Sequence, residues 1–325
     1  MITLAAINLS NYNLHTDLII EKNPENNQEV TIENIIITKT YQNGNYITLS
    51  FNDITDNENY QKVLKQFNIL LKEILVKNKI NKDHSCLVIG LGNRLSTPDS
   101  LGVKVLDNLI ITRHLFLLNK VSPGYREVSA IIPGVMSSTG IESSDIIEAV
   151  INKIKPDFVI AIDALAARSI ERINKTIQLT DTGIHPGSGI GNNRKEISKN
   201  TIGIPVIAIG IPTVTTSSTI AYDTLDYLTR HISYIKEHEE LNKLTYNHFN
   251  YLEKIKNSNL TNQEKSNLFG LLGSLSNTDT HLLLKEVLDK TSLNYIVTPT
   301  EIDFIINKLS SLICESLNNV LHHLK

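Results

Sequence analysis

The 325-residue sequence has only two cysteines, Cys86 and Cys314, and it lacks any long hydrophobic run. So few cysteines suit a reducing compartment, because disulfide-stabilised secreted domains are rich in them. No apolar stretch approaches the roughly 20 residues that cross a bilayer, so no membrane-spanning helix is expected. The N-terminus lacks the basic start and small-residue cleavage site of a signal peptide. These absences favour a cytoplasmic protein without membrane contact.

The sequence also lacks an excess of either charge, with 31 Lys and Arg against 34 Asp and Glu and a formal net charge of −3. A balanced charge gives no reason to expect direct binding to nucleic acid or to an anionic membrane. The hydrophobic fraction of 41% is enough for a large core in a chain of this length. Both cysteines fall in apolar stretches, so we interpret them as packing residues rather than nucleophiles.

Short apolar runs alternate with helical patterns between residues 85 and 235. The predicted strands lie at 86–89, 125–132, 158–162, 176–180 and 205–210, and the predicted helices at 100–119, 142–153, 164–173 and 219–235. Uniformly apolar strands that alternate with helices are typical of a parallel sheet covered on both faces. The sequence therefore predicts an α/β fold with a mainly parallel sheet and helices on both of its faces.

The flanking regions have simpler patterns. Before the core, residues 34–51 resemble two strands around the turn pair Asn43-Gly44, and residues 58–79 have helical spacing. After it, residues 236–325 are helical in pattern and carry no chemical motif, so we assign them to scaffolding or assembly. The expected fold thus has an N-terminal hairpin and a helical C-terminal extension.

Two carboxylates follow strands of the predicted core. Asp99 lies in the loop after the first strand, and Asp163 directly follows the apolar run 158–162. Neighbouring parallel strands would bring both to one rim, where two nearby carboxylates cannot both ionise easily and can serve as acid and base. His185, from a glycine-rich loop, could complete the set, and Asp, Asp and His would also suit a divalent metal. The alternative is structural, with Asp99 as a helix cap and Asp163 paired to Arg168.

Other motifs are weaker. Asp181-Thr182-Gly183 resembles the triplet that occurs twice in pepsin-like enzymes, but it occurs once here, and Asp181 could simply cap a turn. Gly90-x-Gly92 lacks the third glycine of a dinucleotide fingerprint, since Leu95 stands in that place. Ser188 is not in a nucleophile elbow, so a serine triad is not supported.

A longer pattern joins these fragments. From about residue 85 to 230 the sequence strongly resembles the germination protease of spore-forming bacteria. The segments that carry the resemblance are GLGNRLSTPDSLG, SAIIPGVMSSTGIESSDII, KPDFVIAIDALAARSIERINKTIQLTDTGIHPGSGIG and IGIPVIAIGIPTV. The resemblance implies an endopeptidase that degrades small acid-soluble spore proteins during germination, with a fold similar to the hydrogenase-maturation proteases. It also implies an atypical aspartic protease whose essential residues match Asp99 and Asp163.

The resemblance extends to processing and assembly. It implies a zymogen that cuts itself between Asp17 and Leu18, a homotetramer, a location in the forespore or spore core, and no cofactor. His185 and Asp181 are possible supporting residues. We expect a pro-segment, N-terminal strands and helix, a catalytic core and a helical C-terminal region at 1–17, 18–84, 85–235 and 236–325. Two alternatives remain: a metal-dependent protease with a site like the nickel site of the maturation proteases, and a spore-protein-binding module without turnover.

Overall fold

The computed structural model describes residues 14–22, 27–186, 195–237 and 251–322. Its strands are β1 (Asn27–Ile32), β2 (Ile35–Tyr41), β3 (Asn45–Ser50), β4 (Cys86–Gly90), β5 (Val128–Ile131), β6 (Phe158–Ala166), β7 (Thr176–Thr180), β8 (Val206–Thr216) and β9 (Ile296–Val297). Its helices are α1 (Ile19–Lys22), α2 (Asn57–Lys77), α3 (Leu101–Leu106), α4 (Arg113–Leu117), α5 (Met136–Thr139), α6 (Ser143–Ile154), α7 (Lys199–Ile202), α8 (Ser217–Glu237), α9 (Tyr251–Ile255), α10 (Asn262–Phe269), α11 (Asn277–Lys290) and α12 (Ile302–Leu321).

The strands β1 to β8 form a mixed sheet in the order β1-β2-β3-β7-β8-β6-β4-β5. The strands β8, β6, β4 and β5 pair with one another in parallel. The strands β1, β2, β3 and β7 pair antiparallel, and β7 also pairs antiparallel with β8, which joins the two halves of the sheet. The α/β class is confirmed, but the prediction of a mainly parallel sheet is wrong. The predicted N-terminal hairpin is present, and it joins the same sheet through the antiparallel pairing of β3 with β7. Such pairing between distant segments leaves no trace in local periodicity.

One face of this sheet carries the hydrophobic core. Alternate residues of β6, including Ile160 and Ile162, are fully buried in a cluster shared with helices α2, α3 and α12. Phe67 of α2, Leu101 of α3 and Leu312 of α12 are fully buried in the same cluster. The helix predicted at 58–79 is therefore confirmed as α2, and its apolar stripe faces the sheet.

The opposite face is polar around β7. In this strand Ile177 and Leu179 point into the core, so Gln178 between them points to the other side. The Ile19 N–H of α1 donates to Gln178 Oε1 at 2.7 Å, and α1 also contacts β2. The N-terminal segment 15–22 thus lies on the polar face, opposite α2, α3 and α12.

Two predicted helices differ from the structure. Residues 164–173 were predicted to form a helix, but Ala164 to Ala166 continue β6, which pairs with β8 as far as Val214. Strand pairing outweighs the helix propensity of an Ala-Leu-Ala sequence here. The helix predicted at 100–119 is divided into α3 and α4.

The described chain divides into two compact units, and the sheet and α12 belong mainly to one of them. The other unit is mostly helical and spans the described part of Thr215–Val297 together with Arg168–Ile170. In it, His281 of α11 stacks on Tyr222 of α8 with ring centroids 4.7 Å apart. Burial, reinforced by the positive charges of Arg168 and Lys285, lowers the pKa of His281 to about 4. His281 is therefore neutral at pH 7, as expected of a packed core residue.

Candidate active site

Asp163 lies within β6, at the point where the neighbouring strand stops. β4 pairs with β6 up to Gly90 opposite Ile162, so Asp163 is the first β6 residue beyond the end of β4. On its other side Asp163 is paired with Gly210 of β8. Its side chain is buried, with the residue 5% exposed, and Oδ1 accepts a hydrogen bond from the Ala164 N–H at 2.9 Å. We predicted Asp163 at the end of its own strand; β6 instead continues to Ala166.

Asp99 is the last residue of a 3-10 turn, Thr97–Asp99, between β4 and α3. The Asp99 N–H donates to the Ser96 carbonyl at 2.9 Å, and the Asp99 carbonyl accepts from the Asn93 N–H at 3.0 Å. The backbone at Asp99 is therefore fixed from both sides. The Asp99 side chain is more exposed than that of Asp163, which suits a group that must reach a substrate.

This turn is bonded to β8, and the residue after β4 is bonded to β6, the strand that carries Asp163. The Thr213 hydroxyl of β8 donates to the Pro98 carbonyl at 2.7 Å, and the Leu91 N–H donates to the Ile162 carbonyl at 2.9 Å. Cα atoms of the turn also approach within 8 Å of Cα atoms of β6. The structure thus places the Asp99 turn against the strand of Asp163, at one edge of the parallel half of the sheet.

Two glycines allow the close approach. Gly92 has φ +109°, and a Cβ there would lie 1.9 Å from the Asp99 carbonyl oxygen. Gly102, at the start of α3, packs against the backbone, where a Cβ would lie 2.4 Å from the Ile162 carbonyl oxygen and 2.6 Å from the Leu91 carbonyl oxygen. Carbonyl oxygens of a buried sheet cannot move aside as a flexible side chain can. Glycine at these positions therefore holds the Asp99 turn close to Asp163.

Replacing Gly102 by alanine is expected to destabilise the fold. Helix propensity alone would make alanine more favourable than glycine in α3 by about 1 kcal/mol. The clash with two backbone oxygens reverses the sign, at a cost of about 3 kcal/mol, which lowers the thermal midpoint by roughly 6 to 12 °C. Thermal unfolding followed by circular dichroism measures this shift. Gly140→Ala is the comparison: a Cβ there would meet nothing within 4 Å, so only the strain of φ +72° should lower its midpoint, and by less than the clash at Gly102. A higher midpoint for Gly102→Ala would contradict the close packing.

Asp181 is held by donors from two other elements. Its Oδ1 accepts from the Asn45 N–H at 2.7 Å, and its Oδ2 accepts from the Asn45 amide at 2.6 Å and the Asn78 amide at 3.1 Å. These bonds tie the end of β7 to the start of β3 and to the residue after α2. The contacts give Asp181 a structural function in the Asp181-Thr182-Gly183 turn.

His185 follows β7 and is exposed, although its neighbours Ile184 and Pro186 are buried. Its side chain is 60% exposed, and Nε2 is 3.8 Å from a carboxylate oxygen of Glu196. Among the described residues no three His, Cys, Asp or Glu side chains form a possible metal-binding group, so His185 does not join Asp99 and Asp163 in one. Ser188 and the glycines around it lie outside the described residues.

A cavity of about 440 Å³ opens on the polar face of the sheet. Its lining includes Leu165, Gln178 and Gly210 from three adjacent strands, and Asp181 and His185 from the loop after β7. Asp163 pairs with Gly210 and Gly210 pairs with Gln178, so these three residues form a row across β6, β8 and β7. Paired residues of neighbouring strands point to the same face. The cavity therefore lies on the face of the sheet to which Asp163 belongs.

The segment around Asp17 is bonded to this face. The Asp17 N–H donates to the Ala166 carbonyl at 3.1 Å, and Asp17 Oδ2 accepts from the Ala166 N–H at 2.9 Å. The Asp17 carbonyl accepts from the Gln178 amide at 3.1 Å. Leu18 is fully buried. Ile19–Lys22 is helical, so the apolar residues after Asp17 do not form a strand.

Gln178 was not predicted as a site residue. Its carboxamide contacts the backbone on both sides of Leu18, because Oε1 accepts from the Ile19 N–H while Nε2 donates to the Asp17 carbonyl. The available signal was one amide residue between the apolar Ile177 and Leu179 of the predicted strand. A buried amide with both its groups engaged is a strong constraint on a peptide segment.

The cysteines do not provide a nucleophile. Cys86 is buried in β4, and burial raises the pKa of its thiol well above the usual range. Burial also raises the pKa of the Cys314 thiol in α12. Both thiols therefore stay protonated at neutral pH, as packing residues do.

None of the described helices is both long and apolar enough to span a bilayer.

Comparison with known proteins identifies the family of the chain. The family model of germination proteases matches residues 10–324. Germination proteases from Bacillus cereus (strain 03BB102) and Bacillus anthracis (strain A0248) are each 43% identical over 98% of this chain and 96% of their own length. The germination protease of Bacillus thuringiensis subsp. konkukian (strain 97-27) is also 43% identical over the same shares.

The chain is thus a peptidase, a hydrolase of peptide bonds with an α/β fold. It belongs to the germination protease family and acts as a protease in spore germination.

Proposed function

We propose that the chain is an aspartic-type endopeptidase that uses Asp99 and Asp163 to initiate the degradation of small acid-soluble spore proteins. The observation that carries the proposal is the placement of the Asp99 turn: the Thr213 hydroxyl of β8 donates to the Pro98 carbonyl, and Cα atoms of the turn lie within 8 Å of Cα atoms of β6, the strand of Asp163. This placement supports a pair of carboxylates, Asp99 and Asp163, at one edge of the sheet. Acid–base hydrolysis needs such a pair. Incubation with a purified small acid-soluble spore protein, with product masses measured over time, tests it.

The proposed mechanism needs one carboxylate as base and one carboxylic acid. The base takes a proton from water, whose oxygen attacks the carbonyl carbon of the peptide. The acid gives its proton to the departing nitrogen as the C–N bond breaks. Either carboxylate can take either role in this scheme, so the roles are assigned to the pair and not to one named residue.

We propose further that residues 1–17 are a pro-segment that the enzyme removes by cutting between Asp17 and Leu18. The Asp17 carbonyl is the carbonyl of that bond, and it is held by Gln178. Gln178 stands in the same row of the sheet as Asp163, with Gly210 between them. Neighbouring strands are about 4.8 Å apart, so the Cα atoms of Gln178 and Asp163 are separated by about 10 Å. This proximity supports a chain that is its own first substrate. Residues 1–13 lie outside the described residues.

The enzyme is expected to keep full activity in EDTA, since two carboxylates suffice for the proposed chemistry. Cleavage of a spore protein is measured with and without the chelator after extensive dialysis. Loss of activity that returns with a divalent ion would contradict the aspartic mechanism. It would favour the metal-dependent alternative, whose ligands would then have to be other than a set formed by Asp99, Asp163 and His185 as the described residues stand.

We also propose, from the resemblance to the family, that the chain forms a homotetramer in the spore core. On the same ground we propose a fold similar to that of the hydrogenase-maturation proteases. The described surface of the sheet unit offers exposed apolar side chains, among them Leu117, Leu118 and Met136. Such side chains suit burial between copies of the chain. The division into pro-segment, N-terminal part, core and helical C-terminal region stays a prediction.

A further inference from the structure

We infer that Glu21 is a built-in receptor for the new N-terminus, so that the α-ammonium of Leu18 pairs with its carboxylate once residues 1–17 are removed. The inference rests on the proposed cleavage between Asp17 and Leu18. It concerns what the cut creates rather than how the cut is made.

Glu21 is a buried acid. Its side chain is 5% exposed, and Arg172 Nε lies 3.3 Å from Oε1. The other oxygen, Oε2, accepts a hydrogen bond from the Thr16 hydroxyl. A buried carboxylate is costly unless its oxygens are paired or hydrogen-bonded. In the uncut chain, Arg172 and Thr16 meet this need together.

The Thr16 hydroxyl also bridges Glu21 to the bond that is to be cut. Thr16 Oγ1 accepts from the Leu18 N–H at 3.2 Å while its proton goes to Glu21 Oε2. The Leu18 nitrogen and the Glu21 carboxylate are therefore separated by a single hydroxyl group. Thr16 lies in the segment that cleavage would release. The cut would therefore remove the Thr16 hydroxyl and leave the Leu18 nitrogen and the Glu21 carboxylate in place.

Hydrolysis then creates a new partner for the Glu21 carboxylate. Water adds across the C–N bond, and the Asp17 carbonyl becomes an α-carboxylate. Both protons of the water pass to the Leu18 nitrogen, which becomes an α-ammonium. An α-amino group has an ordinary pKa of about 7.7 to 8.0, so it is largely charged at neutral pH. A group with one N–H is thus replaced by a cation with three donors, beside a buried acid that has just lost one. The new donors thus replace the one that Glu21 loses with Thr16, and the ammonium is attracted to the carboxylate that Arg172 already contacts.

The residues after the cut are already held in place. The Ile19 N–H is bonded to Gln178 Oε1 at 2.7 Å, and the Glu21 N–H donates to the Leu18 carbonyl at 3.2 Å. Leu18 itself is fully buried. These contacts do not involve residues 1–17, so they remain after cleavage and keep the ammonium near Glu21. The ion pair would fix Leu18–Lys22 on the polar face of the sheet that carries Asp163, which makes Glu21 a positioning residue of the processed enzyme.

The test compares uncut and processed chains, each with Glu21 and with Glu21→Gln. The uncut Glu21→Gln chain keeps an acceptor for Thr16 but loses the ion pair with Arg172, so its thermal midpoint should fall. The processed Glu21→Gln chain leaves a buried ammonium without its partner, and its midpoint should fall by roughly 5 °C more. Glu58→Gln, an exposed acid that pairs with Lys62 on α2, is the matched control and should shift both forms equally.

A second measurement separates the ion pair from a general structural function. Acylation of the Leu18 α-amine should be roughly tenfold slower in the folded processed chain than in the same chain in urea, and the Glu21→Gln variant should lose this protection. Equal midpoint shifts in the two forms, or an amine as reactive in the folded chain as in urea, would overturn the inference. If Glu21→Gln does not fold, the protection in the unmutated processed chain decides alone.

The outcome can be told apart from a failure of self-processing. If the chain does not cut itself, its mass stays unchanged and the proposed zymogen is wrong. The same processed form is then made by replacing residues 14–17 with the recognition sequence of a protease that cleaves before Leu18. A protected, Glu21-dependent amine in that product would support the ion pair independently.

Discussion

Asp99→Asn and Asp163→Asn are each expected to lower the rate of spore-protein cleavage by roughly a thousandfold or more while the fold remains intact. General acid–base catalysis contributes typically 10² to 10⁴ in rate. Hydrolysis by the proposed mechanism needs both a base and an acid, so loss of either carboxyl group removes a required proton transfer. An amide has nearly the shape of a carboxyl group but can neither take the proton of water nor give one to the leaving nitrogen. Product masses from a purified spore protein, measured over time, give the rates.

The matched control is Asp107→Asn. Asp107 is an exposed acid that pairs with Arg94 at 2.7 Å on the surface, so the same substitution there should change turnover little. Circular dichroism and thermal midpoints of all three variants show whether they fold. A folded Asp99→Asn or Asp163→Asn chain with near-normal turnover would remove that residue from the proposed pair.

The purified full-length chain, held at mildly acidic pH, is expected to yield a product whose first residue is Leu18. Protonation of carboxylates at lower pH reduces the repulsion between Asp99 and Asp163, and so eases their joint approach to the bond. The bond itself is presented by Gln178, which holds the Asp17 carbonyl, and by Ala166, which holds the Asp17 N–H. N-terminal sequencing and intact mass identify the cut.

The control is Asp163→Asn, which should remain uncut under the same conditions because self-cleavage uses the same carboxylates as substrate cleavage. Mixing this variant with the active chain tests whether cutting can occur between molecules. A stable and fully active chain that still carries residues 1–17 would contradict the zymogen, and Asp17 and Leu18 would then be ordinary structural residues.

Much of the fold follows from local sequence patterns. The turn pair Asn43-Gly44 gives a hairpin at 34–51, and the apolar spacing at 58–79 gives α2. The runs 86–89 and 158–162 are strands and lie side by side in parallel, as predicted. In each case the signal is contained within one element, because a turn or a helix stripe is set by neighbouring residues.

The errors concern pairing between distant segments. Local patterns do not show that β7 runs antiparallel to β8 and so joins the N-terminal hairpin to the parallel strands. Nor do they show that Ala164 to Ala166 pair with β8 instead of starting a helix. Both depend on contacts that form only in the folded sheet.

The same limit applies to the site. Asp99 and Asp163 could be proposed because each follows an apolar strand, and that position is visible in the sequence. Gln178 and Glu21 could not, since their importance comes from bonds to Asp17, Ile19 and Thr16 that bring an N-terminal segment onto the sheet. Their sequence context alone would suit an ordinary strand residue and a surface acid.

The central claim is that Asp99 and Asp163 share one attacking water. A crystal structure of the processed enzyme with a non-cleavable peptide in the cavity beside Gln178 measures this directly. The account predicts one water within about 3.2 Å of a carboxylate oxygen of each residue, facing the carbonyl carbon of the peptide. Carboxylates more than about 10 Å apart, with the peptide carbonyl near neither, would contradict it, because one water cannot then contact both groups.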